Sequence, residues 1–173
     1  PTLPSFDRIT GNLSFMFFRP NRYEALKQLV KFLKPEGQVV LTFPSLGTFD
    51  SLWKRVDKEM QCMGLSKEQK ALNEYIEERP SSNQAKKWLK ELGMEKVMIT
   101  ERPLEVESGP GREFLEHPLL RGGFLDDVYE CFEDQALANK FMTVISNDLP
   151  NFKPLVAKRC AMSGWMPKAT SKV

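Results

Sequence analysis

The chain has 173 residues, 41% hydrophobic and 28% charged, with 25 basic and 23 acidic residues giving a net charge of +2. That length suffices for one domain with a sizeable core. The even charge balance shows no basic stripe for nucleic acid, and no apolar run approaches the roughly 20 residues of a membrane span. Cys62, Cys131 and Cys160 are odd in number and widely spaced, so they form neither a disulfide framework nor a zinc pattern. They read as buried free thiols of a cytoplasmic protein. The one histidine, His117, leaves little material for a catalytic triad or a histidine-based metal site.

In chain order, FDRITGN begins like a strand ending near Gly11 and Asn12. RYEALKQLVKFL places Leu26, Leu29, Val30 and Leu33 at helical spacing, and Lys34, Pro35 and Gly37 supply a stop. The run VVLTF, residues 39–43, is continuously apolar, as in a strand covered on both faces. Residues 6–43 therefore predict a strand–helix–parallel strand unit of a doubly wound sheet. Phe49, Leu52, Trp53, Val56 and Met60 predict a helix, as do Leu72, Tyr75 and Ile76. Ser81 and Ser82 offer an N-cap for a third helix carrying Ala85, Trp88, Leu89 and Leu92 and ended by Gly93. A strand is expected around Lys96 to Glu101, with an extended arm through Val106. Beyond a loop with a helical turn, Leu125, Val128, Tyr129 and Phe132 form one apolar face, and Leu137, Phe141, Val144 and Ile145 another. Pro150 and Pro154 frame a loop before a last strand, PLVAKRCAM. This gives an α/β domain over residues 1–163, with helical segments at about 48–80 and 109–149, and a tail at 164–173.

Few residue patterns carry chemistry by themselves. GPG at 109–111 lacks the third glycine of a dinucleotide fingerprint, position 114 being Phe, and reads as a hinge or lid loop; no GxxxxGK[ST] occurs. Asn12 is either a turn residue after Gly11 or a ligand-facing amide at a strand's carboxyl end, where open α/β sheets bind ligands. Phe15, Phe17 and Phe18 are either core or the wall of an aromatic pocket. Ser45 and Thr48 follow the second strand at the same sheet edge, and Thr48 is also placed to cap the next helix. His117 is either a general base or a surface residue before a proline. Arg112, Glu113 and Arg121 either contact an anionic substrate or are solvated charges. No catalytic residue and no metal ligand can be assigned.

The segments FDRITGN and FLKPEGQVVLTFPS together resemble the fourth strand, the following helix and the fifth strand of class I S-adenosylmethionine-dependent methyltransferases of the small-molecule, type 11-like kind. Members show FD-x-I-x-x-N and LKPGG; here the matching residues are Phe6, Asp7, Ile9 and Asn12, then Leu33, Lys34, Pro35 and Gly37, with Glu36 replacing the first glycine of the second motif. FDSLWKRVDKEM is similar, more loosely, to malonyl-carrier-protein O-methyltransferases, which suggests an acyl or carboxylate substrate. The resemblance implies a Rossmann-like methyltransferase sheet, partial (strands 4 to 7), with helices on both faces and a helical lid built by insertions at about 48–80 and 109–149. It further implies methyl transfer from S-adenosylmethionine, with Asn12 and Leu13 beside the cofactor and Phe15, Phe17, Ser45 and His117 on the substrate side. None of the ten glycines forms the family's E/D-x-G-x-G-x-G cofactor loop. The expectation is therefore the carboxyl-terminal half of such an enzyme, inactive alone, binding a small molecule and neither nucleic acid nor membrane. The uncovered strand at residues 6–12 is expected to drive homodimerisation or strand swapping. The alternatives are a non-catalytic interaction module built from the half-fold, or another α/β enzyme with a lid.

Overall fold

The computed structural model describes residues 4–107, 109–147 and 155–169. The proline-framed loop expected around Pro150 and Pro154 lies outside these residues. The chain divides into two compact units, one of residues 1–46, 78–103 and 158–173, the other of residues 47–77 and 104–157.

The first unit is an open sheet with two helices. β1 (Phe6–Asn12) leads through a short 3-10 turn, Phe15–Phe17, into α1 (Arg22–Lys31) and then β2 (Leu33–Pro44). β1 and β2 run parallel, as expected, with Ile9 opposite Val39 and Asn12 opposite Thr42. α4 (Ser82–Glu91) precedes β3 (Glu95–Val106), and β4 (Leu155–Trp165) closes the sheet. The strand order is β1-β2-β4-β3, with β4 antiparallel to β2. β4 runs two residues into the segment expected to be tail. Ser81 caps α4, its side chain accepting from the Gln84 amide at 3.1 Å.

Alternation along the strands sorts the two sheet faces. Val39, Leu41, Phe43, Cys160 and Met162 are buried together with Leu26 and Val30 of α1 and Ala85 and Leu89 of α4. A fully buried aliphatic side chain contributes roughly 1.5–3 kcal/mol, so this face holds the unit together. Tyr23 of α1 and Trp88 of α4 touch, their ring centroids 5.9 Å apart. On the other face, Thr10, Asn12, Thr100 and Arg102 are exposed, and Val40, Thr42, Ala161 and Ser163 are half-buried.

The LKPEG turn is a wide bulge in the parallel ladder. Phe6 pairs with Leu33 and Arg8 with Gln38, so the residues between them loop out of β2. At its crest Glu36 has φ 60, the left-handed region. An L-residue there costs about 1–2 kcal/mol, while glycine's extra freedom in the unfolded chain costs roughly 0.5–1. The Glu36–Lys168 ion pair, at 3.6 Å with both side chains mostly exposed, offsets little. Glu36→Gly should therefore raise the unfolding free energy by roughly 0.5–1 kcal/mol. A urea midpoint that rises at constant slope checks this; one that stays or falls shows that the glutamate conformation carries no strain.

The second unit contains α2 (Asp50–Cys62), α3 (Ser66–Glu77), the short α5 (Arg112–Leu115), an irregular turn at Leu120–Phe124, α6 (Leu125–Glu130) and α7 (Gln135–Asn147). Its interior is aromatic: Phe49 meets Phe124 edge-on at 4.9 Å, Trp53 meets Tyr75 at 6.2 Å, and Phe132 meets Phe141 at 5.4 Å. Two details differ from the sequence reading. The N-cap of α2 is Phe49, left-handed at φ 57, rather than Thr48. Val144 is exposed, because Ala138, Phe141, Met142 and Ile145 form the buried stripe of α7. Among the described residues no helix is long and apolar enough to cross a membrane.

Candidate functional site

The carboxyl ends of the parallel strands β1 and β2 meet at an open cavity of about 450 Å³ that Asn12, Leu13 and Thr42 help to line. Register puts Asn12 directly opposite Thr42, and the two side chains are joined: Thr42 Oγ1 donates to Asn12 Oδ1 at 2.6 Å. The same hydroxyl accepts from the Leu13 amide at 3.0 Å, and the Thr42 carbonyl accepts from that amide at 3.1 Å. Leu13 is thereby held at φ 54, with its side chain turned outward and 43% exposed. With its oxygen engaged, Asn12 keeps an amide NH2 that meets no protein acceptor among the described residues. Two oriented donors at a strand's carboxyl end are what a polar ligand requires. The close approach needs Gly11, where an added Cβ would lie 2.7 Å from Ser14 Oγ and 2.8 Å from Leu41 Cδ2.

The cavity is extended by residues that no sequence motif marked. Thr100 and Arg102 come from β3, and Arg159, Cys160 and Ala161 from β4. The Cys160 thiol is pushed up to about 11, by burial first and then by the Glu101 carboxylate. That makes it a poor nucleophile at neutral pH. Thr42 passed as part of the apolar run VVLTF, and its register opposite Asn12 is what brings it to the site. The β3 and β4 residues reach the site only because β4 inserts between β2 and β3.

The residues expected on the substrate side separate. Phe15 is fully buried, its ring 5.6 Å from Phe43 in an edge arrangement, so its place is in the core and not in a pocket wall. Phe17, two residues on, is 69% exposed. Ser45 is also fully buried, and its hydroxyl donates to Glu101 Oε2 at 2.6 Å while its amide donates to the Lys158 carbonyl at 2.9 Å. It braces the end of β2 instead of facing a ligand. His117 belongs to the second unit, where it is half-buried and its Nδ1 accepts from the Leu119 amide at 3.2 Å. Arg112 is paired with Glu116 at 2.8 Å, which raises its pKa through that hydrogen bond. Among the described residues no cluster of three metal-ligating side chains occurs.

No protein-family model and no curated protein matches the chain. Solved structures do. Over 97% of the chain, it is similar to a candidate methyltransferase of Bacillus halodurans, at 16% identity and a TM-score of 0.50, covering 67% of that protein. The YcgJ protein of Bacillus subtilis matches over 96% of the chain and 66% of its own length, at 11% identity and a TM-score of 0.51. The phosphoethanolamine N-methyltransferase 2 of Haemonchus contortus, solved with phosphomonomethylethanolamine and S-adenosylhomocysteine, matches 96% of the chain but 35% of its own length, at 13% identity and a TM-score of 0.50. The chain thus spans about two thirds of the two bacterial structures and about a third of the Haemonchus one. At these identities the likeness is one of fold, and it is plain: the chain has the α/β fold of class I S-adenosylmethionine-dependent methyltransferases.

Proposed function

We propose that this chain is part of a cytoplasmic S-adenosylmethionine-dependent methyltransferase acting on a small molecule, with the cofactor's methyl-bearing end at Asn12 and Leu13. The observation that carries the reading is the Asn12 amide, free to donate at the carboxyl end of β1 and fixed there by Thr42. A bound S-adenosylmethionine supplies an electrophilic methyl group. The chain's own residues orient and enclose: the Asn12 NH2 donates to a polar group of the ligand, and Leu13 presents an apolar side chain next to it. Methyl transfer of this kind depends on alignment more than on acid–base groups, in keeping with a site built of an amide, hydroxyls and aliphatic carbon. The residues present fit one end of the cofactor only. This reading has the glycine-rich loop and the acidic ribose contact come from outside these 173 residues, so the chain alone is inactive. The loose likeness to malonyl-carrier-protein O-methyltransferases makes an acyl or carboxylate compound the favoured acceptor.

Titration with S-adenosylhomocysteine, followed by amide chemical shifts, tests this. Saturating shifts are expected at Asn12, Leu13 and Thr42 with weak affinity, reduced about tenfold further in Asn12→Ala. Shifts that avoid these residues would remove the reading. Tight binding to this chain alone would overturn the claim that a loop from elsewhere completes the site.

A second reading, of a non-catalytic module, is favoured by the free side of β1. Among the described residues β1 pairs only with β2, and an apolar cavity of about 440 Å³ lined by Phe6, Ile9, Leu29 and Phe32 adjoins it. Phe6 is 45% exposed. Such an edge pairs readily with another strand, here that of a second copy, so the chain would dimerise through residues 6–12. Light scattering that finds a monomer at high concentration counts against it.

A further inference from the structure

The cavity beside Asn12 is lined by two arginines from separate strands, Arg102 and Arg159. Alternation along β3 puts Arg102 on the same side as Thr100, and both line the cavity. On β4, Arg159 stands opposite Pro44 and Ala161 opposite Thr42, so Arg159 shares the face that carries Thr42 and Asn12. Among the described residues neither guanidinium makes a side-chain hydrogen bond or ion pair. The carboxylate between Thr100 and Arg102 in sequence is turned away, with Glu101 Oε2 accepting from the buried Ser45 hydroxyl at 2.6 Å.

Two like charges at one open cavity repel each other. The arrangement gains most when an anion lies between them, since guanidinium forks match the two oxygens of a carboxylate or phosphate. The Asn12 NH2 and the Thr100 hydroxyl add neutral donors on the same face.

We infer that this cavity is an oxyanion site, in which Arg102 and Arg159 grip the carboxylate or phosphate of a small molecule while Asn12 and Thr100 orient it. The inference rests on the methyl-transfer reading only for the identity of that molecule, which would then be the methyl acceptor, held by its anionic end within reach of Leu13. The arginines, not any catalytic group, would select the substrate class.

The test is a titration of the chain with inorganic phosphate and, separately, with malonate, at ionic strength held constant with sodium chloride and read by amide chemical shifts. Saturating shifts should appear at Asn12, Thr42, Thr100 and the residues flanking Arg159. Arg102→Gln and Arg159→Gln should each weaken binding about tenfold, and both arginines are exposed, so each variant should keep the parent's melting curve. Tighter malonate binding assigns a carboxylate and tighter phosphate binding a phosphoryl group; either supports the site. Responses that chloride reproduces, or that survive both substitutions, overturn it. An anion response without any S-adenosylhomocysteine shift at Asn12 and Leu13 keeps the oxyanion site and discards the methyl-transfer reading.

Discussion

Phe15→Ala is expected to lower the unfolding free energy by roughly 3–5 kcal/mol, whereas Phe17→Ala should stay within about 0.5 kcal/mol. The two residues sit in one 3-10 turn yet have opposite fates. Phe15 is fully buried, edge-on to Phe43 at 5.6 Å and tilted against Phe18 at 6.2 Å. It plugs the end of the α1 side of the sheet beside Leu26 and Leu41. Truncation removes a large apolar surface and leaves a cavity that its well-packed neighbours cannot fill, hence the size of the loss. Phe17 is 69% exposed and has little to lose. Urea unfolding of both variants measures the contrast, and a Phe15/Phe43 double-mutant cycle should return a coupling of about 0.5–1.5 kcal/mol. A Phe15 loss below about 1 kcal/mol would mean that the ring faces an open pocket after all.

That pair also shows where the sequence stops being readable. Strands and long helices announce themselves through repeats: Leu26 and Val30 lie one turn apart on α1, and VVLTF marks a strand. Only Val39, Leu41 and Phe43 are buried, however, with Val40 and Thr42 half-buried, so the cover expected on both faces is full on one face only. A three-residue turn has no period, so FMFF could not say which ring points inward. Val144 was misplaced for a related reason. Both Val144 and Met142 lie near Phe141 on α7, and only the tertiary packing decides which of them completes the stripe. Phe49 in a left-handed N-cap defeats local propensity outright, since a serine or threonine one residue earlier is the better cap by type. At the site, Asn12 was placed at the end of β1 because strand ends are legible, whereas Thr42 was read only as part of an apolar run. Arg102 and Arg159 were not legible, because nothing local reveals that β4 enters between β2 and β3. Ser45 was placed at the correct strand end but given the wrong direction. Its partner Glu101 lies on a strand distant in sequence, and burial of a hydroxyl is decided by whether such a partner exists.

Arg22→Ala is expected to cost roughly 3–5 kcal/mol, as much as losing a core ring, from a residue that composition would assign to the surface. Its side chain is only 5% exposed. Nη1 donates to the Glu78 carbonyl at 2.7 Å and Nη2 to the Met16 carbonyl at 3.0 Å. The Glu78 carboxylate lies 3.9 Å from Nη1 and also accepts from Arg19 Nε at 2.6 Å. One planar group thus ties the start of α1 to the 3-10 turn and to the segment leading into α4. Hydrogen bonds to a charged donor contribute about 1.5–3 kcal/mol each, and truncation removes the donors of both the Glu78 and Met16 carbonyls while the Glu78 carboxylate keeps Arg19. The signal was present in spacing: Arg22, Leu26 and Val30 fall four residues apart, so the arginine continues the buried stripe of α1. Arg22→Lys separates shape from charge. A lysine ammonium keeps the charge but cannot fork to both carbonyls, so it should recover less than half of the loss. If lysine restores full stability in urea unfolding, the tie is electrostatic alone and the fork geometry is immaterial.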